Sequence, residues 1–262
     1  MNGISSVALP TLLTFAPMVD SELARLLLRH HQAAYRESDH LFPWVSVLTL
    51  FHGGVGRVPL LYGGGVRLTG PRRIAEHLDA LQPAERRLIP TEGPPARQVE
   101  SDWRTYNGEM AADTAVFAYY HLLPERELMT PIFAAPVPPG EAKLTPVAYP
   151  LIAGLFRMLL RLNPQRAEAA IARIRATFEQ TDKRVADGRL YLLGERPTLG
   201  DLALASASAP LLLPHGYGAK LPALEEMPPA LRTVMEELRR SPTAAFVQRL
   251  YAEGIPPAKA GS

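Results

Sequence analysis

A glycine-rich segment near residue 60 places the strongest limit on how this chain can fold. Two short strand-like runs, residues 58–62 and 66–68, are separated by three consecutive glycines at 63–65. Glycine adopts the positive φ angles of tight turns without steric cost, so it suits the turn between antiparallel strands. The segment therefore predicts a β-hairpin.

The residues on either side of this hairpin predict the remaining elements of a small α/β unit. Pro17 ends a short apolar run, Asp20 and Ser21 are N-cap residue types, and Pro71 suits a first helical position. The predicted elements are a strand at 12–15, a helix at 21–31, a strand at 33–37, a connector at 42–51 that is irregular or helical, and a helix at 71–79.

The rest of the chain shows helical patterns and no convincing strand pairs. Residues 82–98 are rich in proline and charge and predict an interdomain linker. Helices are expected at 99–123, 150–162, 165–185, 227–239 and 242–251, with a frayed helix end and an irregular loop at 124–146. The most specific signal is the capping box Thr198-Leu199-Gly200-Asp201, which predicts the start of a buried helix.

Composition excludes several classes of function. The chain has no cysteine, so disulfides, thiolate metal sites and cysteine nucleophiles are ruled out. Its 28 basic and 26 acidic residues are interspersed, which argues against a nucleic-acid partner. His30 and His31 are adjacent, so on a helix they point in different directions, and no metal site is expected. With no signal peptide and no long apolar stretch, we expect a cytoplasmic protein without membrane insertion.

Three segments resemble the glutathione transferase superfamily, and the resemblance extends over nearly the whole chain. They are residues 56–61, which are similar to the segment leading into the family's third strand, residues 68–78 at the following strand-to-helix junction, and the helix-capping motif at 197–201. The resemblance implies an α/β plus all-α fold: a thioredoxin-like, glutathione-binding domain at 1–81, a linker at 82–98 and a helical bundle at 99–262.

Glutathione is the cosubstrate that this resemblance implies, bound by the first domain. In the family, the main chain of the residue before a cis-proline pairs with the cysteinyl part of glutathione, a role that falls on Val58 and Pro59. Arg57 and His40 lie where family members place cations that meet the glycine carboxylate. A solvated surface side chain is the alternative for each of these cations.

The start of the predicted third helix departs from the family pattern. Gly70-Pro71 replaces the usual Glu-Ser pair, so the acidic partner of the γ-glutamyl ammonium group is missing, while Thr69 retains a neighbouring hydroxyl. The N-terminus of this helix still favours a carboxylate through its free N–H groups.

The catalytic position departs from the pattern as well. The usual thiolate-stabilising residue falls on Met18, which has nothing to donate, and Ser21 is the best available hydroxyl; its alternative role is that of a first-turn serine. Asp20 is expected to be the helix cap. Trp103 and Tyr106 are candidates for the substrate cleft, although their helical spacing also fits a core position.

The leading hypothesis is a glutathione transferase-like enzyme that conjugates glutathione with a small apolar electrophile. The alternative is a non-catalytic protein of the same fold that binds an apolar ligand or a protein partner. The resemblance also implies a homodimer in which the first domain of one subunit packs on the second domain of the other.

Overall fold

The computed structural model describes residues 9–253. Its N-terminal part contains a four-stranded sheet in the order β2-β1-β3-β4. The strands are β1 (Thr11–Thr14), β2 (Arg36–Asp39), β3 (Leu60–Gly63) and β4 (Val66–Thr69). β1 is parallel to β2 and antiparallel to β3, which pairs antiparallel with β4. The parallel pair requires a crossover connection, which contains helix α1 (Val19–His30).

The hairpin predicted around the glycines is confirmed. Gly63 pairs with Val66, and Leu60 pairs with Thr69 at the other end of the ladder. Gly63, Gly64 and Gly65 all have positive φ, between 57° and 87°. The peptide bond between Val58 and Pro59, just before β3, is cis.

Three helices cover this sheet, and one of them, α1, begins earlier than predicted. The connector is helical and forms α2 (Trp44–Phe51), while α3 (Pro71–Ala80) begins with its proline as expected. α1 begins at Val19, with Met18 as its N-cap and no side chain capping it. The predicted cap at Asp20 is therefore wrong, because Asp20 lies inside the first turn.

The second part of the chain is helical. Its α-helices are α4 (Gly93–Trp103), α5 (Ala111–Leu122), α6 (Arg126–Ala134), α7 (Pro139–Leu159), α8 (Pro164–Val185), α9 (Leu199–Leu212), α10 (Pro229–Leu238) and α11 (Pro242–Glu253). A π-helical stretch, Arg104–Met110, joins α4 to α5 without a break. α4 begins within the predicted linker, so its first turn is already part of the helical domain.

α9 is the central helix of this domain. It packs against α4, α5 and α11 and also against α1 of the N-terminal part. Its sequence is apolar on all sides, as expected for a helix buried on every face. One core therefore runs through both parts of the chain.

The predicted capping box at the start of α9 is confirmed. The carboxylate of Asp201 accepts hydrogen bonds from the N–H and the hydroxyl of Thr198, at 2.7 and 2.6 Å. It also accepts one from the N–H of Leu192, and the N–H of Leu199 donates to the carbonyl of Leu88 in the linker. The box therefore both begins α9 and holds two flanking loops against it.

Residues 124–146, predicted to be irregular, are largely helical in the structure. Pro146 and Pro150 lie inside α7. Because proline has no N–H, Pro150 leaves the carbonyl of Pro146 without its intrahelical donor. The guanidinium of Arg126 on α6 donates to that carbonyl at 2.9 Å. The prediction of an irregular loop was wrong because it treated the prolines of this segment as helix breakers, whereas Pro131 and Pro146 lie inside helices and Pro139 begins α7.

Within residues 9–253, no single helix is long and apolar enough to cross a membrane. α7 and α8 meet the length and hydropathy criteria only as a pair bent by 68°.

Candidate functional site

A cavity of about 530 Å³ lies between the N-terminal sheet domain and the helical domain. The N-terminal domain contributes the first turn of α1 and the loop before β3. The helical domain contributes one face of the π-helical stretch and α5, together with apolar side chains of α6 and α7, namely Met129, Ile132, Phe156, Leu159 and, just past α7, Leu160. We call it the interdomain cavity.

The loop before β3 presents main-chain groups to the interdomain cavity. Gly56, Arg57 and Val58 all line it. Neither the N–H nor the C=O of Val58 has a hydrogen-bond partner among residues 9–253, whereas the carbonyl of Pro59 accepts from the N–H of Gly70 at 2.8 Å. Val58 therefore offers an unpaired donor and an unpaired acceptor. Buried main-chain N–H and C=O groups are rarely left without a hydrogen-bond partner.

The first turn of α1 forms the neighbouring wall. Met18, Val19 and Asp20 line the interdomain cavity. Since Met18 is the N-cap and supplies no side-chain acceptor, the first N–H groups of α1 find no partner in the part of the chain that the structure describes. The uncapped helix start is a favourable environment for an anion.

Ser21, the predicted catalytic hydroxyl, lies one residue beyond this wall. It is fully buried, its Oγ has no hydrogen-bond partner among the described residues, and it does not line the interdomain cavity. The structure therefore does not bring Ser21 together with Val58. Ser21 lies on the side of α1 that packs into the core, whereas Asp20 lies on the side that borders the cavity.

His40 is engaged elsewhere. Its Nδ1 lies 2.5 Å from Oε1 of Glu141 at the start of α7, and its Nε2 lies 3.0 Å from Oγ of Ser38. The other carboxylate oxygen of Glu141 accepts from the N–H of Leu41 at 2.8 Å. His40 thus joins β2 to α7. Arg57 is exposed and does line the interdomain cavity.

The remaining predicted glutathione-binding residues, Thr69 and Gly70, are partly buried and lie outside the cavity wall. Gly70 is the N-cap of α3, with φ of 82°, and offers no side-chain cap. The start of α3 therefore has neither the acidic side chain nor the hydroxyl at 70–71 that the family pattern would place there.

Trp103 and Tyr106, the predicted cleft residues, do not line the interdomain cavity. The hydroxyl of Tyr106 lies 3.1 Å from both Oγ1 of Thr181 and a guanidinium nitrogen of Arg184, inside the helical core. Arg72 lies over the ring of Trp103, 5.6 Å from its centre. Both side chains therefore stabilise helix packing.

Sequence reasoning missed the face of the helix that does form the wall. It is a stripe of small residues at helical spacing: Gly108, Ala111, Ala112, Ala115 and Ala118. Small side chains leave room for a cavity where a continuous core would otherwise form. The spacing is visible in the sequence, but nothing in it distinguishes a stripe that lines a cavity from one that allows close helix packing.

Few polar groups face this apolar space. The amide of Asn107 donates to the carboxylate of Asp20 at 2.8 Å, across the boundary between the domains. Burial raises the pKa of Asp20, and the hydrogen bond from Asn107 opposes that rise only in part. Burial also raises the pKa of Tyr119, whose ring stacks on Phe156 with their centres 4.7 Å apart.

Comparisons with known proteins agree with this architecture. Residues 164–237, from α8 into α10, match the family model of the glutathione S-transferase C-terminal domain. A glutathione S-transferase structure from Sinorhizobium meliloti 1021 is 20% identical in sequence to this chain. It superposes with a TM-score of 0.52, and the match covers 96% of this chain and 97% of that one. No curated protein sequence matches the chain.

Two further solved structures have the same fold. A glutathione S-transferase of Ceriporiopsis subvermispora, in complex with glutathione, is 13% identical with a TM-score of 0.59, covering 97% of this chain and 100% of that one. A β-etherase of Sphingobium sp. strain SYK-6 is 13% identical with a TM-score of 0.56, covering 94% and 100% of the two chains. At this level of identity the likeness is one of fold.

Proposed function

Since the chain has the glutathione transferase fold, with a C-terminal part that matches the family model, we propose that it is a glutathione-dependent transferase acting on small apolar electrophiles. The observation that supports this most directly is the unpaired main chain of Val58 beside the uncapped start of α1, both on the interdomain cavity. A peptide ligand supplies the acceptor and the donor that Val58 lacks.

Binding in this arrangement relies on the backbone rather than on ionisable side chains. The central residue of glutathione pairs with Val58 as an added strand would, and Arg57 is placed to meet a ligand carboxylate. The sulfur then lies near the first turn of α1, where the free N–H groups and the helix dipole favour the thiolate. The thiolate sulfur bonds to an electrophilic carbon in the apolar part of the cavity, and the leaving group departs.

Ser21 does not fit this proposal in its present position, because it is buried away from the cavity. Thiolate stabilisation is therefore assigned to the main chain of α1, and Ser21 to the packing of the helix. His40 is likewise assigned to the contact with Glu141. These assignments make weak activation of the thiol an expected property of the protein.

The test compares glutathione with its depsipeptide analogue, in which an ester replaces the N–H of the cysteinyl residue. Titration calorimetry of the unaltered protein should show glutathione binding at least about tenfold more tightly, the equivalent of one hydrogen bond between uncharged groups. A conjugation assay with an activated aryl halide tests turnover. Absence of both heat and turnover at millimolar glutathione would contradict the proposal.

A second candidate is a non-catalytic protein that binds an apolar ligand in the interdomain cavity. Met18 at the catalytic position and the carboxylate of Asp20 beside it favour this candidate, because an ionised carboxylate raises the pKa of a nearby thiol. Thermal-shift measurements separate the two. Stabilisation by apolar compounds with none by glutathione would favour the binding protein.

We also propose a homodimer, as the resemblance to the family implies. The support is an exposed apolar face of α2 made by Trp44, Val47 and Phe51, which recur at helical spacing.

A further inference from the structure

The carboxylate of Asp20 is partly buried, and among the described residues it has fewer hydrogen-bond partners than the buried acids of this protein. The buried acids each have a cation or at least two donors: Asp102 pairs with Arg184 at 2.7 Å, and Asp113 with Arg173 at 2.5 Å. Asp201 accepts from main chain and hydroxyl, as described above. Asp20 accepts from Asn107 alone among the described residues and forms no ion pair with any of them.

Asp20 is also the only acid on the wall of the interdomain cavity, as far as residues 9–253 define it. An ionised carboxylate can accept about four hydrogen bonds, so a single neutral donor leaves most of its capacity unused. Even the partial burial of a charge with so little compensation is costly unless a partner arrives. Most of the remaining residues on the cavity wall are apolar.

From this placement we infer that Asp20 determines ligand choice, selecting apolar molecules that carry a protonated amine or a comparable cationic nitrogen. The inference rests on the proposed function, because it names the class of compound that enters the same cavity. The apolar body packs between Met18, Phe156 and the small-residue stripe of α5, while the ammonium group donates to Asp20.

Asn107 has a positioning role in this arrangement. Its bond to Asp20 comes from the π-helical stretch, so it fixes the carboxylate from the opposite domain, and the second oxygen has no partner among residues 9–253. The other titratable groups on the cavity wall are Arg57, at the loop before β3, and Tyr119 on α5. On α1 itself, Glu22 is bound to Arg25 and does not line the cavity.

The experiment uses two probes with the same apolar body, 1-(aminomethyl)naphthalene and 1-methylnaphthalene. Their affinities are measured by fluorescence titration for the wild type, for Asp20→Asn, and for Ser46→Ala as a control on the same cavity. Asn at position 20 keeps an oxygen for Asn107 but loses the charge. The wild type and the control should prefer the amine by about tenfold or more, the scale of a hydrogen bond to a charged group, and Asp20→Asn should lose that preference.

A second measurement uses the unaltered protein, so the test does not depend on correct folding of the variant. The amine stays protonated in acid, so lowering the pH titrates Asp20 and should remove the preference, beginning at a higher pH than an ordinary aspartate would allow. Equal binding of the two probes by the wild type overturns the role of Asp20 while leaving the cavity as a ligand site. Failure of both probes to bind overturns this inference, and the separate glutathione titration then decides whether the proposed function falls with it.

Discussion

The hydroxyl of Tyr251 on α11 donates a 3.0 Å hydrogen bond to the carboxylate of Glu22 on α1, a residue 229 positions earlier in the chain. The same carboxylate accepts from the N–H of Gly218 at 3.0 Å and from the guanidinium of Arg25 at 3.2 Å. Both Glu22 and Tyr251 are fully buried. This cluster joins the helix that borders the interdomain cavity to the C-terminal end of the bundle.

Removing the Tyr251 hydroxyl should destabilise the fold. Tyr251→Phe leaves one bond of a buried carboxylate unmade, which costs about 1–3 kcal/mol in the free energy of unfolding. Urea unfolding followed by circular dichroism measures it. Tyr35→Phe is the control, because its hydroxyl bonds to none of the described residues, and a change within about 0.5 kcal/mol is expected there. Equal stabilities for the two variants would show that the hydrogen bond between Tyr251 and Glu22 does not stabilise the fold.

Gly218 should tolerate no larger residue. A Cβ at this position would lie 2.3 Å from Cδ of Arg25 and 2.7 Å from Oε2 of Glu22, so Gly218→Ala must displace the cluster. We expect a loss of about 1–3 kcal/mol, seen as a lower melting temperature. Gly140→Ala, where a Cβ meets nothing within 4 Å, should leave the melting temperature unchanged or raise it. A melting temperature for Gly218→Ala at or above that of the wild type would contradict the clash.

The pH dependence of stability should reveal the buried charge at Asp20. Because burial raises its folded-state pKa, the wild type loses stability as the pH rises from the unfolded-state pKa, about 3.9, through the folded value. Asp20→Asn removes this titration. Its free energy of unfolding relative to the wild type should therefore increase with pH across that window and then stay level.

Asp187→Asn is the control of opposite sign. Arg189 lowers the pKa of the exposed Asp187 to about 2, so this variant should be slightly less stable than the wild type at neutral pH. The difference should shrink as the pH falls from about 3.9 towards the folded value. Urea unfolding at a series of pH values measures both variants. Parallel curves for Asp20→Asn and the wild type would show that Asp20 carries no desolvation penalty.

The proposed homodimer should depend on the exposed face of α2. Phe51, with 77% of its surface exposed, is the most exposed apolar side chain on that face, and Phe51→Asp should convert the dimer to a monomer. Sedimentation velocity measures the mass at micromolar concentration. Val147→Asp, at an 82% exposed position on α7, is the matched control and should remain dimeric. A wild-type species of 28.7 kDa would refute the dimer itself.

Local sequence signals predicted the elements whose formation depends on neighbours in the chain. The glycines at 63–65 specify a turn because no other residue adopts positive φ so readily, and Thr198 with Asp201 specifies a helix start because both partners lie within one turn. The linker boundary and the irregular segment at 124–146 were less predictable. At the end of that segment, Pro150 leaves the carbonyl of Pro146 without an intrahelical donor, and Arg126 on another helix donates to it instead.

The same difference between local and long-range determinants applies to the candidate site. The resemblance carried by three short motifs predicted the two-part fold, and it singled out the main chain at Val58, which has no partner among residues 9–253. Which side chains meet in the cavity depends on the rotation of each helix about its axis, set by the packing of the whole core. For that reason only the tertiary structure placed Asp20 against Asn107, tied His40 to Glu141, and turned Ser21 and Tyr106 away from the cavity.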